Sequence, residues 1–206
     1  MGFYSRIIFP RFLNWCMSNR ILRPHRRSLL SLARGEVLEV GFGPGLNLPY
    51  YPKEIDGLIA VDRNPGMSAL AEARVSQSPF RVERRVLNGE KLPMRDESFD
   101  TIVTTWTLCS INRVEEALRE MHRVLRPGGR FLFIEHGFSP DERVRVWQDR
   151  LTPFHKIVAD GCHLNRKINQ LVQSQGFEIV ELEQFYLEKS PKFLGYTYRG
   201  IATRTR

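Results

Sequence analysis

Val37-Leu38-Glu39-Val40-Gly41-Phe42-Gly43-Pro44-Gly45 joins a short apolar run to a glycine-rich turn. Glu36 to Gly41 reads as a first strand, because apolar residues crowd it and a turn signal ends it. Gly41, Gly43 and Gly45 would let backbone pass close to a ligand without Cβ obstruction. On its own such a turn is also an ordinary structural feature, so the surrounding sequence has to decide.

Downstream, Leu58 to Asp62 reads as a second strand ending on an acid, followed by a helix over Gly66 to Ser76. An acidic residue at this separation from the glycines suits two ribose hydroxyls. Glu39, the other acid near the turn, could orient the ammonium of a cofactor through water. Hydride-transferring enzymes instead require GxGxxG at a helix start, whereas this chain has GxGxG with Pro44 removing an amide donor. A dinucleotide is therefore disfavoured.

The same alternation continues outward. Strands are expected over Phe80 to Leu87, Phe99 to Thr105 and Arg130 to Ile134, and last strands over Phe177 to Phe185 and Tyr196 to Ala202. A short helix is expected near Leu46 to Tyr51. Val114 to Leu125 presents Val114, Ala117, Leu118, Met121 and Leu125 on one side of a helix that Pro127 and Gly128 stop. A polar and aromatic excursion from Glu135 to Asn165 precedes a helix near Lys167 to Ser174. The order predicts an α/β fold with a mostly parallel seven-stranded sheet and helices on both faces.

Length and composition agree. At 206 residues with 42% hydrophobic content, the chain suits one domain over 35–206, preceded by a basic segment over 1–34. That segment carries Arg6, Arg11, Arg20, Arg23, Arg26, Arg27 and Arg34 and no acid, within a net charge of +8. Its apolar residues recur at three- and four-residue separations, which predicts an amphipathic helix serving as a cap, a lid or an anchor on an anionic membrane. Nucleic acid has less support, since no reader motif accompanies the charge. The arginines interrupt any run near the roughly 18 apolar residues of a spanning helix, and no signal-peptide pattern is present. A cytoplasmic protein, peripheral at the inner face of a membrane, is expected.

Five stretches in order resemble the class I S-adenosylmethionine-dependent methyltransferases. They are Val37 to Gly45, Val61-Asp62, Arg81 to Pro93, Phe99 to Val103, and His122 to Arg130. The resemblance implies S-adenosyl-L-methionine as cofactor and a Rossmann-like fold. It places Gly41, Gly43 and Gly45 around the methionine portion, Asp62 on the ribose with Arg63 and Met67 beside it, and Asn88, Gly89 and Glu90 at the adenine. Thr105, at the end of the fourth expected strand, joins the cofactor-binding set. Asn88 stands where many relatives have Asp, though an amide can still contact a base edge.

Beyond residue 104 the resemblance narrows. Thr104 to Ile111, Glu135-His136, Trp147-Gln148 and Asp160 to Arg166 resemble matching stretches of membrane-associated alkyl thiol S-methyltransferases. Those relatives act on small hydrophobic thiols and carry an N-terminal membrane anchor. Central motifs also resemble quinone-biosynthesis C-methyltransferases and phospholipid N-methyltransferases, so sulfur, carbon and nitrogen acceptors stay open. Trp106, Leu108 and Cys109 are expected near the acceptor passage. His136, Asp149 and His163 are the candidate bases for removing an acceptor proton. A binding module without enzymatic activity is the alternative from another class.

Metal and disulfide chemistry are not expected. Cys16, Cys109 and Cys162 are far apart with no CxxC, and His155 and His163 lack a third ligand at a persuasive spacing.

Overall fold

The computed structural model describes residues 3–204, apart from the Ser68 side chain. Residues 1, 2, 205 and 206, the outer ends of the two expected segments, lie outside the described residues.

Among the described residues seven strands form one sheet: β1 (Glu36–Val40), β2 (Gly57–Asp62), β3 (Val82–Val86), β4 (Phe99–Thr105), β5 (Leu125–His136), β6 (Phe177–Tyr186) and β7 (Tyr196–Arg204). Their order is β3-β2-β1-β4-β5-β7-β6, with only β7 antiparallel to its neighbours. The order reverses between β1 and β4. In open parallel sheets that reversal leaves a crevice beyond the strand ends, where ligands bind.

The sheet is buried on both sides because its central strands alternate between two apolar clusters. Leu38, Val40, Ile102, Phe131 and Phe133 pack with α4 (Val114–Val124) and α6 (Ile168–Ser174). Val37, Val103, Leu132 and Ile134 pack with α2 (Leu22–Leu30) and with Ala71 of α3 (Pro65–Val75). Helices thus cover both faces, as the sequence predicts. Deleting a fully buried ring such as Phe131 would cost about 3–5 kcal/mol.

Two elements differ from the sequence expectation. The excursion from Glu135 to Asn165 contains α5 (Glu142–Val158), capped by Asp141, whose side chain accepts from the Arg143 amide. Pro153 lies inside this helix and removes one ladder donor, which is why the segment reads as irregular. A short α7 (Lys192–Gly195) also precedes β7.

The basic segment folds as a π-helical turn (Tyr4–Ile8) running into α1 (Phe9–Met17), then α2. It is tied into the domain: Asn64 Nδ2 donates to the Ser5 carbonyl, Arg74 donates to Asn14 Oδ1, and the Tyr4 hydroxyl donates to the Val158 carbonyl. Arg26 is buried, so the seven arginines are not one solvated face. Among the described residues no helix is long and apolar enough to cross a membrane.

Candidate active site

The β1 turn, the end of β2, the segments after β3 and β4, the end of β5 and residues of α1 and α2 converge on a cavity of about 1100 Å³. That exceeds the roughly 300–1,000 Å³ of ordinary small-molecule clefts and leaves room for two ligands. Gly41, Gly43, Asp62, Arg63, Met67, Asn88, Gly89, Glu90 and Thr105 all line it. Residues expected to act together from separate motifs are therefore brought together.

The turn is held open by its own backbone. Gly41 and Gly43 have φ of 83° and 55°, in the left-handed region that glycine favours. A Cβ on Gly41 would run into the Thr107 side chain, whereas one on Gly43 would meet nothing within 4 Å. Gly43 thus presents bare backbone to open space. Asp62 accepts from the amides of Gly43 (2.7 Å) and Asn64 (2.8 Å), which fix its carboxylate at the end of β2. Burial raises its pKa despite those two amides. A carboxylate has about four lone-pair positions, so two remain for a ligand's hydroxyls.

Two expected cofactor contacts sit elsewhere. Gly45 does not line the cavity; its Cβ position faces Phe42, Ala71 and Leu48, and its amide donates to the Phe42 carbonyl to close the turn. Glu39 is fully buried, beneath Asn47 and Tyr51, which donate to it at 2.8 and 2.7 Å. Burial raises its pKa to about 7 against the pull of those two donors. Asn47 lines the cavity in its place, donating also to Thr105 Oγ1 and accepting from Arg26 Nε. Burial lowers the Arg26 pKa to about 10, and its guanidinium lies 5.0 Å from the Trp106 ring centre. Sequence reading missed this Glu39-Asn47-Arg26 relay, because Arg26 looks like one more member of a basic face.

Glu90 is pinned by Arg113, whose Nε and backbone amide donate to its carboxylate at 2.9 and 3.1 Å. Arg63 pairs with Asp160 (3.1 Å) and so spans the cavity toward the loop after α5.

The three candidate bases separate. His136 lines the cavity at the end of β5. Asp149 is exposed on α5 and accepts from Asn165 Nδ2, outside the cavity. The helix explains this: its inward position is Gln148, which accepts from the Ser139 amide and donates to the Gly137 carbonyl. His163 is absent from the lining; its amide donates to the Cys109 carbonyl, with Nδ1 3.1 Å from the same oxygen, so it braces the loop after β4. Burial lowers its pKa. Of the expected acceptor passage, Trp106 and Cys109 line the cavity while Leu108 is core.

Around His136 lies a cluster that spacing along the chain could not reveal. Cys109, His136 and Cys162 bring their Sγ, ring nitrogen and Sγ within 4.8 Å of one another, and all three line the cavity. His136 Nε2 is 2.7 Å from Cys162 Sγ. A hydrogen bond from Cys162 holds the Cys109 thiol well below its ordinary pKa. Burial opposes the charged His136 ring, but Cys109 outweighs it and the histidine pKa rises. Beneath them, Glu135 is fully buried and accepts from the Thr107 amide, and burial lifts its pKa to about 8.

The opposite wall is apolar. Phe9, Phe12, Leu13 and Trp15 line it from α1, Ile21 from the turn before α2, and Leu194 from α7. The opening segment is thus a wall of the cavity as well as a surface element.

Comparison with known proteins identifies the family and the fold. Residues 38–133 match a family described as a methyltransferase domain. The chain is 34% identical over 151 residues to thiol S-methyltransferase TMT1B of Rattus norvegicus, covering 71% of this chain and 62% of that protein. It is 32% identical over 172 residues to thiol S-methyltransferase TMT1A of Homo sapiens, covering 79% and 70% respectively. The chain thus spans under two thirds of the rat protein's length. A solved structure of a Haemonchus contortus N-methyltransferase, in complex with phosphomonomethylethanolamine and S-adenosylhomocysteine, shares the fold. Its TM-score is 0.70 at 15% identity, over 96% of this chain and 57% of that one.

Proposed function

Because the chain belongs to the class I S-adenosylmethionine-dependent methyltransferases, we propose that it methylates a small hydrophobic acceptor, a thiol, within this cavity. The observation that carries the reading is the shared space itself. One end has the open Gly43 backbone and the preset Asp62 carboxylate, and the other has the apolar wall and the Cys109-His136-Cys162 cluster.

When bound, S-adenosylmethionine supplies a methyl group already activated by its sulfonium. The chain's task is then alignment and exclusion of water. Asp62 holds the ribose through its remaining lone pairs. Met67 and Asn88 flank the sugar and base, and Gly43 allows backbone to approach the methionine portion. Trp106 and the aromatic residues of α1 shed water from the acceptor's path. His136 is the group placed to take the acceptor proton, being the one candidate base that lines the cavity.

The thiol assignment also draws on the relatives that carry that activity by name. Labelled S-adenosylmethionine offered with thiols, quinone precursors and phospholipids tests it, with mass spectrometry of the product. An S-methylated product supports the assignment; carbon or nitrogen methylation without thiol turnover replaces it.

The same chemistry motivates a partner. Phe3, Ile7, Ile8, Phe12 and Trp15 are exposed beside the exposed Arg11, Arg20 and Arg23. The exposed Phe154 and Ile157 lie near the end of α5 to which Tyr4 and Ser5 bond through Val158 and Asp160, adding apolar surface beside it. An anionic membrane fits this pairing of apolar and cationic groups, and it would deliver apolar acceptors to a cavity walled by the same helix.

A further inference from the structure

We propose that Cys109, His136 and Cys162 form a site for a thiophilic divalent cation, Zn²⁺, with a fourth position open to the cavity where an acceptor thiolate is held. The second half of this statement rests on the thiol reading above; the metal site itself does not.

Donor chemistry is the first argument. Two thiols and one imidazole are the soft and intermediate ligands that select zinc over magnesium or calcium. Three protein ligands with a vacant position facing a ligand cavity is the arrangement of catalytic rather than structural zinc. Two thiolates would also neutralise the dication, which lowers the cost of burying it.

Geometry is the second. In a tetrahedral site with Zn–S of about 2.3 Å and Zn–N of about 2.0–2.1 Å, ligand atoms stand about 3.6–3.8 Å apart. The three atoms here lie within 4.8 Å of one another, with His136 Nε2 and Cys162 Sγ at 2.7 Å. These separations bracket the tetrahedral spacing, the longest being at most about 1 Å above it and the shortest about 1 Å below.

Bracing is the third. The ligands come from three chain segments: the loop after β4, the end of β5 and the loop after α5. The segments are tied together by hydrogen bonds next to the ligands, among them the Phe138 amide donating to the Arg166 carbonyl (2.9 Å). The His163 amide donates to the Cys109 carbonyl (2.8 Å), and Arg166 donates to the carbonyls of Leu108 and Ile111. The Thr107 amide donates to Glu135 at the end of β5 (2.8 Å). His155 Nδ1 lies 3.2 Å from the Cys162 carbonyl, and its ring stands edge-on to His136. Supports of this kind fix ligands before a metal arrives.

The chemistry follows with its balance closed. In the metal-loaded form His136 is a ligand and not a proton acceptor, so the cation takes over activation of the acceptor: R–SH displaces water from the fourth position and loses its proton to solvent. The resulting thiolate sulfur attacks the methyl carbon, forming an S–CH₃ bond as the sulfonium C–S bond breaks. That electron pair stays on the sulfur of S-adenosylhomocysteine. The product is a neutral thioether, a weaker metal ligand than a thiolate, so water regains the position.

The test uses the full chain, reduced and stripped of metal, titrated with Co²⁺ as a spectroscopic stand-in for Zn²⁺. One equivalent should produce intense thiolate-to-cobalt charge-transfer absorption that Zn²⁺ abolishes. Cys109→Ser combined with Cys162→Ser should remove the absorption and weaken Zn²⁺ binding at least about 100-fold. Cys16→Ser, which removes the third cysteine, should leave both unchanged. Retained S-adenosylhomocysteine binding shows that the double variant folds. Absence of the absorption in the parent protein, or unchanged Zn²⁺ affinity in the folded double variant, overturns the site. Adding ethanethiol to the cobalt form should shift the band as another thiolate joins. A band that forms but ignores ethanethiol, with only quinone or phospholipid methylated, overturns the acceptor assignment and leaves the metal site standing.

Discussion

The two ends of the cavity are built in opposite ways. Its cofactor end comes from a short contiguous turn, Gly41 to Asn47, plus Asp62 at the end of the adjacent strand. Its acceptor end comes from Cys109, His136 and Cys162, which meet only after β4 and β5 pair and the loop after α5 folds back. The first depends on backbone geometry that a few glycines encode locally. The second depends on strand order, which no local stretch contains. A binding end built locally can serve many acceptors, while the assembled end sets which acceptor is served.

The sharpest way to break the comparison is at Asp62. Asp62→Ala removes the acceptor of the Gly43 and Asn64 amides together with the proposed ribose contacts. Losing charge-assisted hydrogen bonds at about 1.5–3 kcal/mol each predicts a fall of at least about 100-fold in S-adenosylhomocysteine affinity by calorimetry. Asp62→Asn keeps an acceptor oxygen and should lose less. If affinity survives in a folded Asp62→Ala protein, the local end is not the cofactor end.

Beneath that end, Glu39 gives a pH signature. Its pKa is about 7 in the fold, from the ordinary 4.5, because burial disfavours the carboxylate. Between those values the folded protein holds a proton that the unfolded chain has released, so stability falls as pH rises from about 4.5 to 7. Above that window the whole penalty, on the order of 3 kcal/mol, is present. Glu39→Gln cannot ionise and keeps an acceptor for Asn47, so its stability should decline less between pH 5 and 8 in denaturant titrations. Glu135, raised to about 8, contributes a slope of the same sign that remains in the variant. Equal slopes in the two proteins would remove Glu39 as the cause.

The glycines separate a turn's shape from its openness. Gly41→Ala places a methyl against Thr107 at a φ of 83° and should cost about 2 kcal/mol or more. Gly43→Ala meets no neighbour and should cost about 1 kcal/mol of backbone strain, yet weaken cofactor binding, because it intrudes on the open space. Urea midpoints and calorimetry read the two effects independently. A Gly43→Ala protein that binds cofactor normally would show that the ligand does not approach that backbone.

These contrasts explain what the sequence could reveal. Strands β1, β2 and β4, the Gly41 turn and Asp62 were legible because apolar runs and glycines act over a few residues. His136 was legible as the end of β5. Helix α5 was not, since Pro153 and the exposed Trp147 and Phe154 blur its periodicity. With that helix unread, nothing showed that Gln148 points inward and Asp149 outward. The pairing of Cys109 with Cys162 spans α4, β5 and α5, and it follows from packing rather than pattern. Arg26 shows the same limit: the Asn47 oxygen that receives it lies 21 residues further along the chain, beyond β1.

The smallest effect concerns the wall that the two ends share. Trp15 is 75% exposed, and Phe154 and Ile157 are 67% and 76% exposed, enough for each to enter a bilayer interface without unfolding anything. Exposed arginines nearby add attraction to anionic headgroups, worth about 1 kcal/mol per charge close to the surface and screened by salt. Retention on phosphatidylserine-containing vesicles should therefore fall several-fold in Phe154→Ser/Ile157→Ser, fall further with added salt, and be weaker on neutral vesicles. Phe154 and Ile157, unlike Trp15, lie outside the cavity lining, so cofactor affinity should be unchanged in the double variant. Equal retention on neutral and anionic vesicles would leave the arginines without this role, and a double variant retained like the parent would leave the apolar face of α5 without it.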